Sequence, residues 1–506
     1  MPSLSLPFLS LAVLFPILGA LLVSAFAGSR CRLVAQGSAT LSLLAGIGAG
    51  MEIWRTNAPG MADPWLNGSG SPLLMADPLG IFAILLFCAL ALLVFTASPR
   101  RDTGAESLRD HLLILAGAVL VYSADHLGLL LAGWVLTTVP MMFGSSRPAG
   151  RIPLTGIALG LSCVSLALGL FLMARSTLST TGSFTLSTLQ LGRTTAPFDH
   201  LWTLAFLMLA VLLRKGVFPF HSWVASSAEG GDLLKTVSFT NTHLGAFLIA
   251  RLAIPLLPLA SAEALRGLTD LALLTALVAS LMAVVETSPR RLIALLAVSQ
   301  SSFILTGIGS GTLEGITGAM VYWVVVGLAT TTIFLVLRMV EVRTPEPLTL
   351  GSHHGLGTKA PRLAVFFLVS ALALVGLPGT LGFCAEDLLL HGTMDAHPVI
   401  GFLLPIATAI NAVSFLRMFS RLFLGKRALH VAPIADALPR ERLALATIAL
   451  ILVLFGFMPG SLVRALGQIS ARTGASEAFQ QKTSPALPAR IAALPSVLLA
   501  ARTMAH

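Results

Sequence analysis

Two clusters of titratable residues interrupt long apolar runs in this chain. The first begins in Leu212-Leu-Arg214-Lys215-Gly216-Val-Phe-Pro219-Phe-His221-Ser-Trp223 and continues through Glu229, Asp232 and Lys235 to His243. The second is Glu386 with Asp387, a few residues beyond Gly376-Leu-Pro378-Gly379. Groups of these types move protons when water joins them and when burial and neighbouring charges tune their affinities. Lysine suits exchange, whereas arginine keeps its charge, so Lys215 is read as the relay and Arg214 as a fixed charge holding a carboxylate ionised. Histidine titrates near physiological pH, which brings His221 and His243 into the same set. Two readings stay open for Arg214, Lys215, Glu229 and Asp232: opposing charges in a proton path, or an interfacial cluster with snorkelling basic side chains. His243, in the polar patch Thr240-Asn-Thr-His243 of an otherwise apolar helix, is either a proton carrier or a histidine satisfied by a neighbouring hydroxyl or carbonyl. Ser299-Gln300-Ser301-Ser302 either carries water or bonds neighbouring helices. Glu286 beside Arg290 reads as an interfacial ion pair, and Arg338 and Arg417 as snorkelling groups near helix ends.

The elements around these clusters are helices that break. Proline donates no backbone N–H and glycine is conformationally loose, so carbonyls ahead of Pro219 and of Gly376-Leu-Pro378-Gly379 lose their helical partners. Lipid cannot satisfy such groups, so each break is either buried in protein beside a wet cavity or placed at the interface. Pro219 and Pro378 lie ~160 residues apart with similar surroundings, and paired interrupted helices in corresponding places mark an internally repeated transporter.

Composition fixes the solvent. The 506 residues are 56% hydrophobic and 11% charged, with mean hydropathy +0.89, whereas soluble domains carry about 25% charged residues. The chain reads as an all-α polytopic membrane protein with about fourteen apolar segments of spanning length, at 7–27, 33–53, 78–97, 110–124, 126–144, 153–174, 201–218, 236–257, 265–286, 292–310, 315–339, 361–392, 397–420 and 442–464. The first run is read as a retained helix, because it lacks the basic start and cleavage site of a signal peptide. The net charge of +10 comes from short loops between apolar runs, so it sets topology and does not indicate nucleic-acid binding. Arg30, Arg32, Arg100, Arg101, Arg147, Arg151, Arg290, Arg291, Arg343, Lys359, Arg362, Arg421, Lys426, Arg427, Arg440 and Arg442 fall on one side. The positive-inside rule places that side in the cytoplasm and both termini outside. The tail after about residue 465 is weakly amphipathic, broken by Pro485, Pro488 and Pro495, and reads as a surface or partner-contacting segment. Cys31, Cys88, Cys163 and Cys384 are scattered, which argues against disulfides, metal sites and clusters. No Walker, dinucleotide or haem sequence is present, so no cofactor is expected.

These motifs together resemble a family. LLRKGVFPFHSW resembles the stretch of antiporter-like subunits of respiratory complex I that starts at a lysine and runs to L/F-P-L/F-H/Q-x-W. Gly245 to Arg251, GAFLIAR, fits the helix after it, ALLAVSQSSFIL resembles their Y-S-T-x-S-Q segment, and GLPGTLGFCAED resembles their L-P-x-x-x-G-F-x-x-K/E-D break. Ser414-Phe415-Leu416-Arg417-Met418 matches a later helix end. Related proteins serve Mrp-type antiporters, membrane-bound hydrogenases and DAB-type inorganic-carbon complexes. The similarity spans roughly 110 to 425. It implies about fourteen helices in two inverted five-helix repeats, with broken seventh and twelfth helices. It divides the chain into 1–109, repeats at 110–257 and 258–425, and a last helix with tail at 426–506. It also implies a central axis in which a glutamate, two lysines and a terminal lysine or glutamate carry protons. This chain departs from that pattern: Gly133-Trp134 is followed by Val135 instead of glutamate, Arg214 stands at the broken-helix lysine with Lys215 beside it, and Gly230-Gly231-Asp232-Leu-Leu-Lys235 replaces a P-T-P-V-S loop. The histidine after that loop aligns with an apolar position, with His243 about six residues later, and the central lysine aligns with Thr330. Glu386, with Asp387, keeps the terminal charged position.

The resulting expectation is a proton-conducting subunit, in a bacterial inner membrane, of a complex I-like, hydrogenase-like or inorganic-carbon-uptake assembly. Other subunits and the lipid bilayer are its partners, and protons (with another cation as an option) are its cargo. Catalysis on any substrate would belong to a partner. The loss of the Gly-Trp-Glu glutamate modestly favours an accessory, non-respiratory complex. Two alternatives stand beside it: an antiporter-fold scaffold that anchors a partner without moving ions, and a stand-alone cation/proton antiporter.

Overall fold

In lipid a chain must satisfy its own backbone polar groups, and this one does so almost wholly with helices. The structure, a computed structural model, describes residues 6–25, 29–66, 72–143, 154–178, 184–187, 197–256, 258–398, 400–425 and 435–472. Arg147, Arg151, Lys426, Arg427 and the tail prolines lie outside the described residues.

Helices α1 (Phe8–Ala25), α2 (Ser29–Thr56), α3 (Pro78–Ala97), α4 (Ala105–Ser123), α5 (Leu127–Phe143) and α6 (Leu154–Leu178) lead to α7 (Pro197–Lys215), the arm of the first break. The short helices α8 (Ser222–Gly230), α9 (Leu233–Thr240) and α10 (Leu244–Leu248) follow, the last continuing through a π-turn at Ile249–Ala253 into Ile254–Leu256. Next come α11 (Pro258–Val285), α12 (Pro289–Gly309), α13 (Leu313–Arg343), α14 (Pro361–Leu374) and α15 (Leu381–Ala396). The chain then runs through α16 (Leu403–Phe423), α17 (Pro439–Phe457) and α18 (Gly460–Arg472). Among the described residues, 8 helices are long and apolar enough to cross a membrane alone, or 9 if α17 and α18, bent by 86°, make one span. The expected fourteen segments exceed this count because several are short or broken. Helix α5 has 17 residues and α14 has 14.

Helices α12 and α13 form the centre: all of the most apolar stretch of α12 and 94% of that of α13 is buried. Helix α13 packs against α3, α9, α12, α14, α15, α17 and α18. It starts cleanly because the Thr312 hydroxyl accepts the Gly315 N–H at 3.0 Å, an N-cap with Glu314 in the first turn.

The two ends of the bundle differ. At the arginine-rich end, Arg338 meets Asp102 through two nitrogens at 2.7 and 2.6 Å, and Arg290 meets Glu341 the same way at 2.7 and 2.6 Å. Arg417 donates to the carbonyls of Val284 and, at 2.8 Å, Glu286. Arg338 and Arg417 therefore bind protein groups instead of snorkelling freely. The partner of Glu286 is Arg291, at 2.9 Å, rather than the expected Arg290. At the opposite end a two-stranded antiparallel ribbon, β1 (Met61–Ala62) with β2 (Met75–Ala76), packs against α2, α3 and α4. There Arg251 donates to the carbonyls of Tyr122 at 2.7 Å and Met75 at 2.5 Å.

Candidate proton-handling sites

Helix α7 delivers Arg214 and Lys215 to the protein interior, 4% and 9% exposed. Gly216, at φ +65°, ends the helix there. The Lys215 Nζ lies 2.6 Å from His243 Nδ1; either the ammonium donates to the ring, or a neutral amine accepts from the ring N–H. Gly245 makes this approach possible, because a Cβ on it would stand 2.9 Å from Lys215 Cγ. His243 Nε2 is buried without a partner among the described residues, and the ring meets Trp323 edge-on at 5.5 Å. A cavity of about 10 Å³ is lined by Arg214, Lys215, Thr242, His243 and Ser301, room for about one water.

The expected continuous helix over 236–257 is corrected here. The helix ends at Thr240 and restarts at Leu244, and His243 between them is left-handed, at φ +47°. A non-glycine residue in that region is strained, a feature concentrated at functional sites. The break is held by side chains from elsewhere. Asn241 Nδ2 donates to Gly327 O at 3.2 Å and to the hydroxyls of Thr330 and Thr331, both at 3.0 Å. The Thr330 hydroxyl in turn reaches Asn241 Oδ1 at 3.1 Å. The Tyr122 hydroxyl donates to the freed carbonyl of Thr242. Thr330 thus latches the break.

Among the described residues, no carboxylate faces Arg214. Its guanidinium donates to Thr137 Oγ1 at 2.6 Å and Thr138 Oγ1 at 2.9 Å. It lies between the rings of Trp134 and Phe239, 4.4 and 4.3 Å from their centroids, an arrangement suited to a planar, permanently charged cation. The resemblance implies a glutamate at Val135; the hydroxyls that receive the guanidinium, on Thr137 and Thr138, lie two and three residues further on. This corrects the reading of Arg214 as the holder of an ionised carboxylate.

The second break is built on Gly376 at φ +65° and Gly379 at φ +91°, with Pro378 between them. Helix α15 then points Glu386 inward. Glu386 Oε1 lies 3.3 Å from the Tyr322 hydroxyl and 3.4 Å from that of Thr408. The same Tyr322 hydroxyl reaches Gln300 Oε1 and, at 3.1 Å, the freed carbonyl of Leu374. One phenolic proton therefore faces three acceptor oxygens, and a protonated Glu386, donating to the phenolic oxygen, would leave that proton to Gln300 Oε1 or the Leu374 carbonyl. Ser299 lies nearby, donating to Ala276 O at 2.9 Å and accepting from Asn411 Nδ2 at 2.8 Å.

The remaining residues are placed elsewhere. Asp387 is exposed, its carboxylate 3.5 Å from His391. Glu229 pairs with Arg291 at 3.0 Å on the surface. Asp232 caps α9 through the N–H groups of Leu234 and Lys235, at 3.0 and 3.1 Å, and Lys235 pairs with Asp110 at 3.0 Å. His221 stacks on Phe218 at 5.7 Å, and its Nδ1 is buried without a partner among the described residues.

The sequence reading missed Tyr322, Trp323, Asn241, Thr137, Thr138 and Thr408. Tyr322 and Trp323 are consecutive on α13, one touching Glu386 and the other His243, so the central helix presents one side chain to each site. A signal was present in the composition. The chain has 27 phenylalanines and only 2 tyrosines, and each tyrosine hydroxyl donates to a carbonyl freed at a break.

Comparison with known proteins follows the same outline. A family profile described as NADH:quinone oxidoreductase/Mrp antiporter, transmembrane, matches residues 153–411. NADH-quinone oxidoreductase subunit M of Rickettsia bellii is 28% identical over 271 residues, 52% of this chain and 53% of that relative. The chain thus spans about half the length of such curated relatives. A chain of respiratory complex I from Thermus thermophilus superimposes with a TM-score of 0.81 at 26% identity, covering 92% of this chain and 99% of that one. A chain of the Mrp complex from Dietzia sp. DQ12-45-1b shares the fold, with a TM-score of 0.77 at 18% identity over 94% of this chain and 98% of that one.

Proposed function

The chain belongs to the NADH:quinone oxidoreductase/Mrp antiporter transmembrane family, and from that premise we propose that it conducts protons as a membrane subunit of a larger assembly. The assembly is complex I-like, hydrogenase-like or inorganic-carbon-accumulating, with the coupled chemistry in a partner. The observation that carries this reading is the pair of sites that α13 touches: buried Lys215 with His243, 2.6 Å apart, and part-buried Glu386 with Tyr322, 3.3 Å apart. In the first, a proton leaves Nζ for Nδ1, and the imidazole releases its Nε2 proton to water in the cavity. In the second, Glu386 takes up or gives back a proton beside the Tyr322 hydroxyl. Arg214 contributes a permanent charge beside Lys215 and takes no part in exchange.

Within this reading, 110–257 and 258–425 are the two repeats, flanked by 1–109 and 426–506. The arginine-rich end faces the cytoplasm, both termini lie outside it, and the membrane is a bacterial inner membrane. Ser299 and Gln300 line the second site, and Thr330 positions the first. Asp232 and Lys235 organise the mouth of the first site, with Glu229 and His221 at its approach and Asp387 at the outer rim of the second. The test is proton flux in vesicles carrying the assembled complex: Lys215→Ala abolishes it if the reading is correct.

A second reading draws on Arg214. A guanidinium clamped by two hydroxyls and two rings is a good structural anchor and a poor exchanger, which supports a scaffold that holds a partner without moving ions. Full partner activity, with no proton flux from any variant or from wild type, would select it.

A further inference from the structure

At the arginine-rich end, a cavity of about 660 Å³ opens between the last turn of α13, the first turn of α17 and the Pro99-Arg100 corner after α3. Arg100, Arg343 and Arg440 line it, with Glu441 at its base and Met339 and Val342 along one wall. Arg343 is committed to Glu441, at 2.6 Å with side-chain exposures of 14% and 1%. Polar atoms remain unused: Arg343 Nη1, Arg440 Nε and Glu441 Oε1 are all buried without partners among the described residues. Buried donors and acceptors of this kind require a partner. Three guanidinium groups against one carboxylate make that partner an anion, and forked guanidinium donors match phosphate oxygens.

The surface below the cavity narrows the choice. Arg440 heads a face of α17 that continues through Leu443, Thr447, Leu450, Leu454 and Phe457, spaced by three or four residues. Of these, Leu443 is 69%, Leu450 62%, Leu454 48% and Phe457 73% exposed. From Leu443 to Phe457 this stripe runs ~20 Å at a helical rise of about 1.5 Å per residue, comparable with an acyl chain. A charged pocket at the head of an apolar track has the shape of an amphiphile.

We propose that this cavity binds the phosphate of an anionic phospholipid, with the headgroup among Arg100, Arg343 and Arg440 and an acyl chain along α17. A headgroup hydroxyl, as in phosphatidylglycerol, donates to Glu441 Oε1. Basic pockets between helices on the cytoplasmic side suit such headgroups, and the site is independent of any proton path.

The test is native mass spectrometry of the full chain with added phosphatidylglycerol, phosphatidylcholine or inorganic phosphate. Phosphatidylglycerol is retained in preference to phosphatidylcholine, and Arg100→Gln with Arg440→Gln lowers its retention by roughly tenfold or more. The charge-preserving Arg100→Lys with Arg440→Lys keeps most of it, and raised salt weakens it in the wild type, a readout that needs no variant to fold. Equal retention of both lipids, or no response to salt, overturns the proposal. Displacement of the lipid by equimolar inorganic phosphate identifies a free-anion site instead. A glutamine variant that keeps its lipid but loses co-purifying subunits assigns the pocket to an acidic partner surface, and this also overturns the proposal.

Discussion

Glu386 has one oxygen within reach of two hydroxyls, and one of these, on Tyr322, is shared with Gln300 and a freed carbonyl. Such a site changes its hydrogen bonding when a proton arrives, which is what a relay requires. Glu386→Gln keeps the shape and removes the exchangeable acid. In vesicles of the assembled complex it lowers proton flux about tenfold or more; unchanged flux would remove Glu386 from the path. Tyr322→Phe deletes the shared hydroxyl alone. It costs about 1 kcal/mol of stability, read as a fall in melting temperature in detergent, and it slows flux less than Glu386→Gln does.

At the scale of elements, the breaks position the chemistry. A Cβ on Gly376 would collide with the Glu386 carboxylate, and its φ of +65° suits glycine. Gly376→Ala costs about 1–2 kcal/mol in backbone strain and displaces the carboxylate, so flux falls although no titratable group is lost. Arg338→Ala breaks the two-point contact with Asp102, at 2.7 and 2.6 Å, and destabilises the arginine-rich end by about 2 kcal/mol. It leaves the sites intact, so its flux per folded molecule stays at the wild-type level. The breaks near Pro219 and Pro378 were legible because glycine and proline act through local sterics. The break at Asn241-Thr242-His243 was not: it contains neither residue and exists because Asn241 reaches Thr330 and Thr331 on α13. Lys215 and His243 were each identifiable by type, but their contact depends on a chain reversal that periodicity does not encode. Tyr322 went unnoticed because an aromatic residue in an apolar helix looks like core until its hydroxyl is seen at a broken carbonyl.

At the scale of the whole molecule, α13 joins the two sites. Consecutive residues on it, Tyr322 and Trp323, face the second and first sites, and Thr330 farther along latches the first break. The family outline is kept, while the resemblance places Val135, Arg214 and Thr330 where a glutamate and two lysines are expected. Under the proposed function, proton movement rests on Lys215 with His243 and on Glu386. The most direct test is proton flux across vesicles holding the full assembly, comparing wild type with Lys215→Ala and with Glu386→Gln at equal subunit content. Each substitution alone lowers proton movement about tenfold or more if these sites act in series; undiminished flux in either variant contradicts it.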